Sequence, residues 1–217
     1  MINKGEMKNF ILGIVNSYSQ VFFSDNKILA CILIVVSFFD PNVGLMALMS
    51  VFFTNLIAFH LGFHKPDIHR GYYGFNSLLV GLGIGYYFEA SFELMLVVLV
   101  SSVLTLMLVT LFKGILMKYG LPYLSIPFLF GIWTVLIASG YFEALGINEK
   151  GIYTINKLYG IGGKKLVDFY DKILNFPMNE SLKIYFKSIA AVYFQFNVLS
   201  GILVAIGILI YSRIAFL

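Results

Sequence analysis

Apolar positions fill this chain in long uncharged blocks, not in the stripes of a water-facing helix or strand. Residues 43–63 carry no charge apart from His60, and residues 94–112 are uncharged and rich in Leu, Val and Met. Residues 119–142 are uncharged but interrupted by Pro122 and Pro127, and residues 188–212 are uncharged up to Arg213. A helix crossing the hydrocarbon core of a bilayer needs about 20 apolar residues, so these four blocks are predicted membrane spans. Three further stretches are too short or too polar to cross alone. They are residues 10–23, with Asn16, Ser17, Ser19 and Gln20, residues 28–39, and residues 72–88.

Short, polar-spotted apolar segments between full spans predict re-entrant or broken helices, whose irregular backbone is tolerated only inside protein or against a water-lined cavity. Residues 72–88 carry Gly74, Gly81, Gly83, Gly85, Asn76 and Ser77 without a single charge. Glycines let helices approach closely, and the Asn76 amide must face protein or a permeant solute. In "LPYLSIPF", Pro127 removes an N–H and opposes the carbonyl four residues back. A helix running through it would leave the Tyr123 carbonyl free, and Pro122 would do the same for Lys118. Ser125 sits between the two prolines.

Composition fixes the setting. Hydrophobic residues make up 59% of the 217 and charged residues only 12%, with a mean hydropathy of +0.88. Soluble domains carry about 25% charged residues, so the chain reads as an all-α integral membrane protein. Its 15 Lys and Arg are scattered, which excludes a nucleic-acid surface. The single cysteine, Cys31, rules out an internal disulfide framework. No sequence pattern of a hydrolase, nucleotide-binding or dinucleotide-binding enzyme is present, and nothing calls for a cofactor.

Between residues 141 and 187 lysines alternate with acidic residues, and "YGIGGKKLVDFYDKIL" predicts a short amphipathic helix over residues 164–174. The region divides the chain into a first membrane repeat (1–140), a polar linker (141–187) and the start of a second repeat (188–217). An internal echo supports this division. "YSQVFFSDNKILACILIVVSFF" resembles "IAAVYFQFNVLSGILVAIGILI" at an offset of 171 residues, placing Val21, Phe23 and Asn26 on Val192, Phe194 and Asn197. Repeats of this kind occur in transporter and channel folds, with the pathway at the repeat interface. No second copy of "GFNSLLVG" or "LPYLSIPF" follows, so the chain is expected to be a piece of a longer protein.

Three motifs, "SQVFFSDN" (19–26), "GYYGFNSLLVG" (71–81) and "LPYLSIPF" (121–128), resemble those of the urea transporter family in order and spacing. The resemblance covers residues 11–139, resumes over 188–217 and leaves the linker unexplained. It implies a urea-selective channel of two inverted halves, each with several spans and a re-entrant half-helix, assembled as a homotrimer in the cell membrane. Carried over by motif position, Gln20 and Phe23 would lie at a pore surface, Phe75 and Leu79 in a narrow slot, and Ser125 in place of a pore threonine. Ser24-Asp25-Asn26-Lys27 adds two charges where the family's pattern is uncharged. Ala191 stands where the second half would carry its pore glutamine or glutamate, which puts a symmetrical second site in doubt.

Urea, or a similar small neutral amide, offers one carbonyl acceptor and four N–H donors. Leaving such groups unpaired away from water costs about 2–7 kcal/mol each. A selective pore must supply oxygens along the edge of the molecule, here Gln20 and Ser125, and flat apolar faces, here Phe23 and Phe75. Ion coupling would need ionisable groups inside the membrane, and only Asp40 and His60 qualify, both near block ends. Passive transport is therefore expected. Two other readings stay open: a non-transporting membrane anchor of the same fold, and a metal site at His60, His64, Asp67 and His69. The lysines of the linker predict a cytoplasmic linker, whereas the resemblance implies an outward one.

Overall fold

The computed structural model describes residues 4–142, 145–148, 152–174 and 177–212. Their regular structure is helical throughout, with one isolated bridge between Phe88 and Ile147. The helices are α1 (Lys4–Gln20), α2 (Lys27–Ser37), α3 (Pro41–His60), α4 (Lys65–His69), α5 (Gly74–Tyr87), α6 (Phe92–Leu116), α7 (Ile126–Ser139), α8 (Ile152–Leu174), α9 (Glu180–Ala191) and α10 (Val198–Tyr211). A single 3₁₀ turn, Met117–Tyr119, extends α6.

Two of the helical segments, Pro41–His60 and Phe92–Tyr119, are long and apolar enough to cross a membrane. Both begin on a side chain that accepts the orphan N–H groups of the first turn. Asp40 accepts from Asn42 and Val43, with Pro41 preset for the first helical position, and Ser91 accepts from Leu94. The other two predicted spans are not continuous. Block 119–142 contains a 14-residue helix, α7, which at 1.5 Å per residue reaches about 21 Å. Block 188–212 is broken by a turn at residues 192–197 between α9 and α10. Pro122 and Pro127 mark the first break in the sequence, whereas uninterrupted hydropathy hid the second, whose turn has only Gln195 and Asn197 as polar residues.

The segment over residues 72–88 is the centre of the molecule. Every residue of α5 from Gly74 to Gly85 is buried, and α5 packs along α3 more extensively than any other pair of helices. The glycines allow the contact. A Cβ on Gly81 would sit 2.6 Å from the Met46 carbonyl oxygen, and one on Gly85 would sit 2.8 Å from that of Asn42. Hydroxyls lock the crossing: Ser50 Oγ lies 2.7 Å from Ser77 Oγ and 3.0 Å from Ser102 Oγ, and Thr54 donates to Ser77 at 2.6 Å. The Asn42 amide donates to the Gly85 and Phe88 carbonyls, both at 2.8 Å.

The two echoed stretches form the same turn. Phe22, Phe23 and Ser24 donate to Ser19, Gln20 and Ser19, and 171 residues on Tyr193, Phe194 and Gln195 donate to Ala190, Ala191 and Ala190. Phe23 and Phe194 adopt φ of 53° and 54°, and Asn26 and Asn197 each cap the helix that follows. The copies also touch: Tyr193 Oη donates to the Tyr18 carbonyl at 2.6 Å, and α10 packs on α2. In the linker, α8 changes direction at Gly163 (φ 61°, ψ −160°), so the helical stretch after it coincides with the one predicted over residues 164–174.

Candidate functional site

Phe23, Phe75 and Tyr123 form one aromatic wall built by three separate elements. Phe23 is held in the left-handed region at the end of α1 and is 57% exposed. It meets Phe75, at the start of α5, edge-on with centroids 6.3 Å apart and planes at 69°. Behind it, Tyr123 stacks on Phe75 at 6.0 Å and 28°, and its hydroxyl donates to the Tyr72 carbonyl at 2.8 Å. Rings in edge contact leave no space for a flat guest between them. Phe23 is therefore the exposed ring of the wall, and Phe75, 3% exposed, is buried between it and Tyr123.

Besides Tyr123, one amide ties the segment before α7 to α5. Asn76, fully buried, donates from Nδ2 to the Leu124 carbonyl at 3.1 Å and accepts from the Phe128 N–H at 3.0 Å. The amide thus faces protein. Leu124 is held at φ 46°, a region that costs a non-glycine residue about 1–3 kcal/mol and that surrounding contacts must impose. The free Tyr123 carbonyl that was predicted is not found. Pro127 lies in the first turn of α7, where proline sacrifices no hydrogen bond, and the Tyr123 carbonyl accepts from Ile126 at 3.2 Å.

Ser125 is half-buried at the N-cap of α7, yet its hydroxyl makes no capping bond to the helix. Gln20 is buried at the last position of α1 and donates from Nε2 to Asp25 Oδ1 at 2.6 Å. The amide oxygen is what Gln20 has left to offer a donor. Leu79 lies one turn beyond Phe75, buried in the central core with Tyr18, Leu29 and Leu33. The structure thus joins Phe23 and Phe75 directly and adds Tyr123, two residues before Ser125 in the chain. It keeps Gln20 at the turn that sets Phe23 and draws Leu79 inward. Tyr123 and the partners of Asn76 escaped sequence reasoning, because a tyrosine among 14 carries no pattern of its own and a buried amide does not say which segment it binds.

On the second copy, Phe194 packs on Tyr86 (5.7 Å) and Phe128 (6.4 Å) instead of on a counterpart of Phe75. Apart from the hydroxyls of Tyr18, Tyr73 and Tyr193, the buried polar side chains among the described residues are Ser, Thr, Asn or Gln. Asp40 caps α3, and His60 is exposed with Nδ1 2.8 Å from the Leu56 carbonyl. Among the described residues no three His, Cys, Asp or Glu side chains converge as metal ligands. Asp67 is instead bonded to Lys113 Nζ at 2.7 Å and faces His64 Nδ1 at 3.3 Å. Burial pushes its carboxyl up, but the hydrogen bonds and charges of Lys113 and His64 outweigh this and hold it below the usual carboxylate range.

A family model described as "UT: Urea transporter" matches residues 11–217. The match runs through residues 140–187, which the motifs alone left outside the resemblance.

Proposed function

The chain belongs to the urea transporter family, a family of membrane transporters and not of enzymes, and from that premise we propose that it conducts urea passively past the Phe23–Phe75–Tyr123 wall. The observation that carries the passive mode is the neutral interior. Coupling to an ion gradient needs a titratable or charged relay within the membrane, and the buried polar side chains described are all uncharged.

In this reading the wall supplies a flat apolar surface for the face of the solute. The Ser125 hydroxyl and the Gln20 amide oxygen supply acceptors for its N–H edge, and Leu79 supports Phe75 from the core side. The short helix α7, entered through a strained loop, acts as a re-entrant half-helix. The α1–α2 and α9–α10 turns act as inverted counterparts in a multi-pass fold of the cell membrane, assembled as a homotrimer. Residues 1–140 then form a first repeat, 141–187 a linker and 188–217 the start of a second.

The chain reconstituted in liposomes tests this by stopped-flow urea efflux. The expected flux is proportional to the urea gradient in either direction and unchanged when Na⁺ and proton gradients are collapsed. Flux that stops with either gradient rules out the passive mode. Flux no greater than that of empty liposomes favours a non-transporting anchor.

A further inference from the structure

Where α4 meets the last turn of α6, an open cavity of about 600 Å³ lies between Phe63, His64, Tyr73, Lys113, Met117 and Lys118. Phe23, Phe75 and Tyr123 do not line it, although Tyr123 packs against the cluster that holds Tyr73. Lys113 and Lys118 bring two ammonium groups to it. Lys113 is fixed in place: its Nζ lies 2.7 Å from Asp67 Oδ2, 3.4 Å from Tyr73 Oη and 5.0 Å from the centre of the Tyr73 ring. Asp67 balances that charge, whereas Lys118 pairs with no carboxylate among the described residues.

The floor is bare. A Cβ on Gly114 would meet nothing within 4 Å. From Gly114 the same face of α6 continues, at three- and four-residue spacing, through Thr110, Met107, Val103, Val100 and Leu96. Met107 and Val100 are each 64% exposed. A cation-lined hollow that opens onto an exposed apolar strip, at the end of a membrane-length helix, matches a ligand with an anionic head and an acyl tail. Basic pockets between spanning helices hold lipid headgroups by this chemistry.

We propose that the Lys113–Lys118 cavity binds the phosphate of an anionic phospholipid, with an acyl chain lying along the Met107–Val100 strip of α6. Free phosphate shares the chemistry of the head but gains nothing from the strip. The site depends on the chain's being a membrane protein and is independent of whether or how urea passes.

The full chain in a neutral detergent is melted with added phosphatidylglycerol, phosphatidylcholine or inorganic phosphate. Phosphatidylglycerol is expected to raise Tm saturably, and the other two are expected to leave it unchanged. Removing one cation beside the phosphate in Lys118→Gln should raise the half-saturating concentration about fivefold. Gly114→Trp, which fills the floor, should abolish the response while melting as the wild type does without lipid. Equal protection by phosphatidylcholine or by free phosphate overturns the proposal, as does an unchanged titration in Lys118→Gln. Should Gly114→Trp itself melt early, the Lys118→Gln titration decides alone.

Discussion

A serine at a helix N-cap ordinarily accepts a hydrogen bond from the second or third helical N–H, and the Ser125 hydroxyl does not do so. The hydroxyl that the helix leaves unused is the one proposed to meet the solute. Ser125→Val keeps similar bulk and removes it. One net hydrogen bond is worth about 0.5–1.5 kcal/mol, and each 1.4 kcal/mol is about tenfold in rate. Urea efflux from liposomes should therefore fall between about twofold and tenfold, at unchanged protein incorporation. Wild-type efflux would remove Ser125 from the path. Phe75 makes the complementary case. It is 3% exposed and touches rings on both sides, so Phe75→Leu fills much of its volume while losing the flat face. The expected result is a smaller ratio of urea to dimethylurea permeability, and an unchanged ratio would mean that Phe75 serves packing alone.

At the scale of elements, the α3–α5 crossing depends on backbone contact that no side chain can fill. Gly81→Val would drive a Cβ to within 2.6 Å of the Met46 carbonyl and against Ser50 and Ala47. Overpacking of this sort costs about 1–3 kcal/mol, and the variant should melt several degrees below the wild type in detergent. An unchanged Tm would show that α5 shifts freely. The α4–α6 junction adds a pH dependence. Asp67 is held below the ordinary carboxylate value by Lys113 and His64. Its contribution to stability is complete above the unfolded value, about 3.9, and is lost as pH falls through the lower folded value. Melting between pH 6 and pH 3 should show a steeper acid loss for wild type than for Asp67→Asn, and parallel curves would exclude the pair as the cause.

These elements also show what was legible in the chain. The asparagines that cap α2 and α10 and the phenylalanines three residues before them are visible as an echo, because the turn constrains side-chain type at fixed spacing. The glycine spacing of α5 is visible because close packing excludes every other residue. The break inside block 119–142 is announced by Pro122 and Pro127, but the one inside 188–212 is not, since Gln195 and Asn197 are the only polar residues of its turn. Nor is the stacking of Tyr123 on Phe75, or the clamp by Asn76. Both depend on a tertiary approach between segments about 50 residues apart.

For the whole molecule, the charged groups gather at two ends. Glu6 of α1 bonds Lys65 of α4, and Asp67 of α4 bonds Lys113 of α6. This sets Lys8, Lys65, Arg70, Lys113 and Lys118 around one end. At the other, the Asn42 bonds bring the start of α3 to the end of α5, while Glu89 and Asn148 join residues 87–89 to 146–148. Tyr170 of α8 belongs there too: burial pushes its phenol up, and the charges of Asp171 and Asp40 push it further. The linker therefore sits opposite the Lys113–Lys118 end. Lysine and arginine flanking spans set orientation, and the earliest connections usually dominate. Three separate short connections, at α1, α4 and the end of α6, are basic at the Lys113–Lys118 end. The linker lysines belong to one later connection that forms helices of its own. We place the Lys113–Lys118 end in the cytoplasm and the linker outside. In a Cys31→Ser background, Asp168→Cys should react with a membrane-impermeant maleimide in intact cells, and Lys118→Cys only after permeabilisation. The reverse pattern would invert the protein in the membrane, and equal labelling of both sites in intact cells would mean that they do not lie on opposite sides of it.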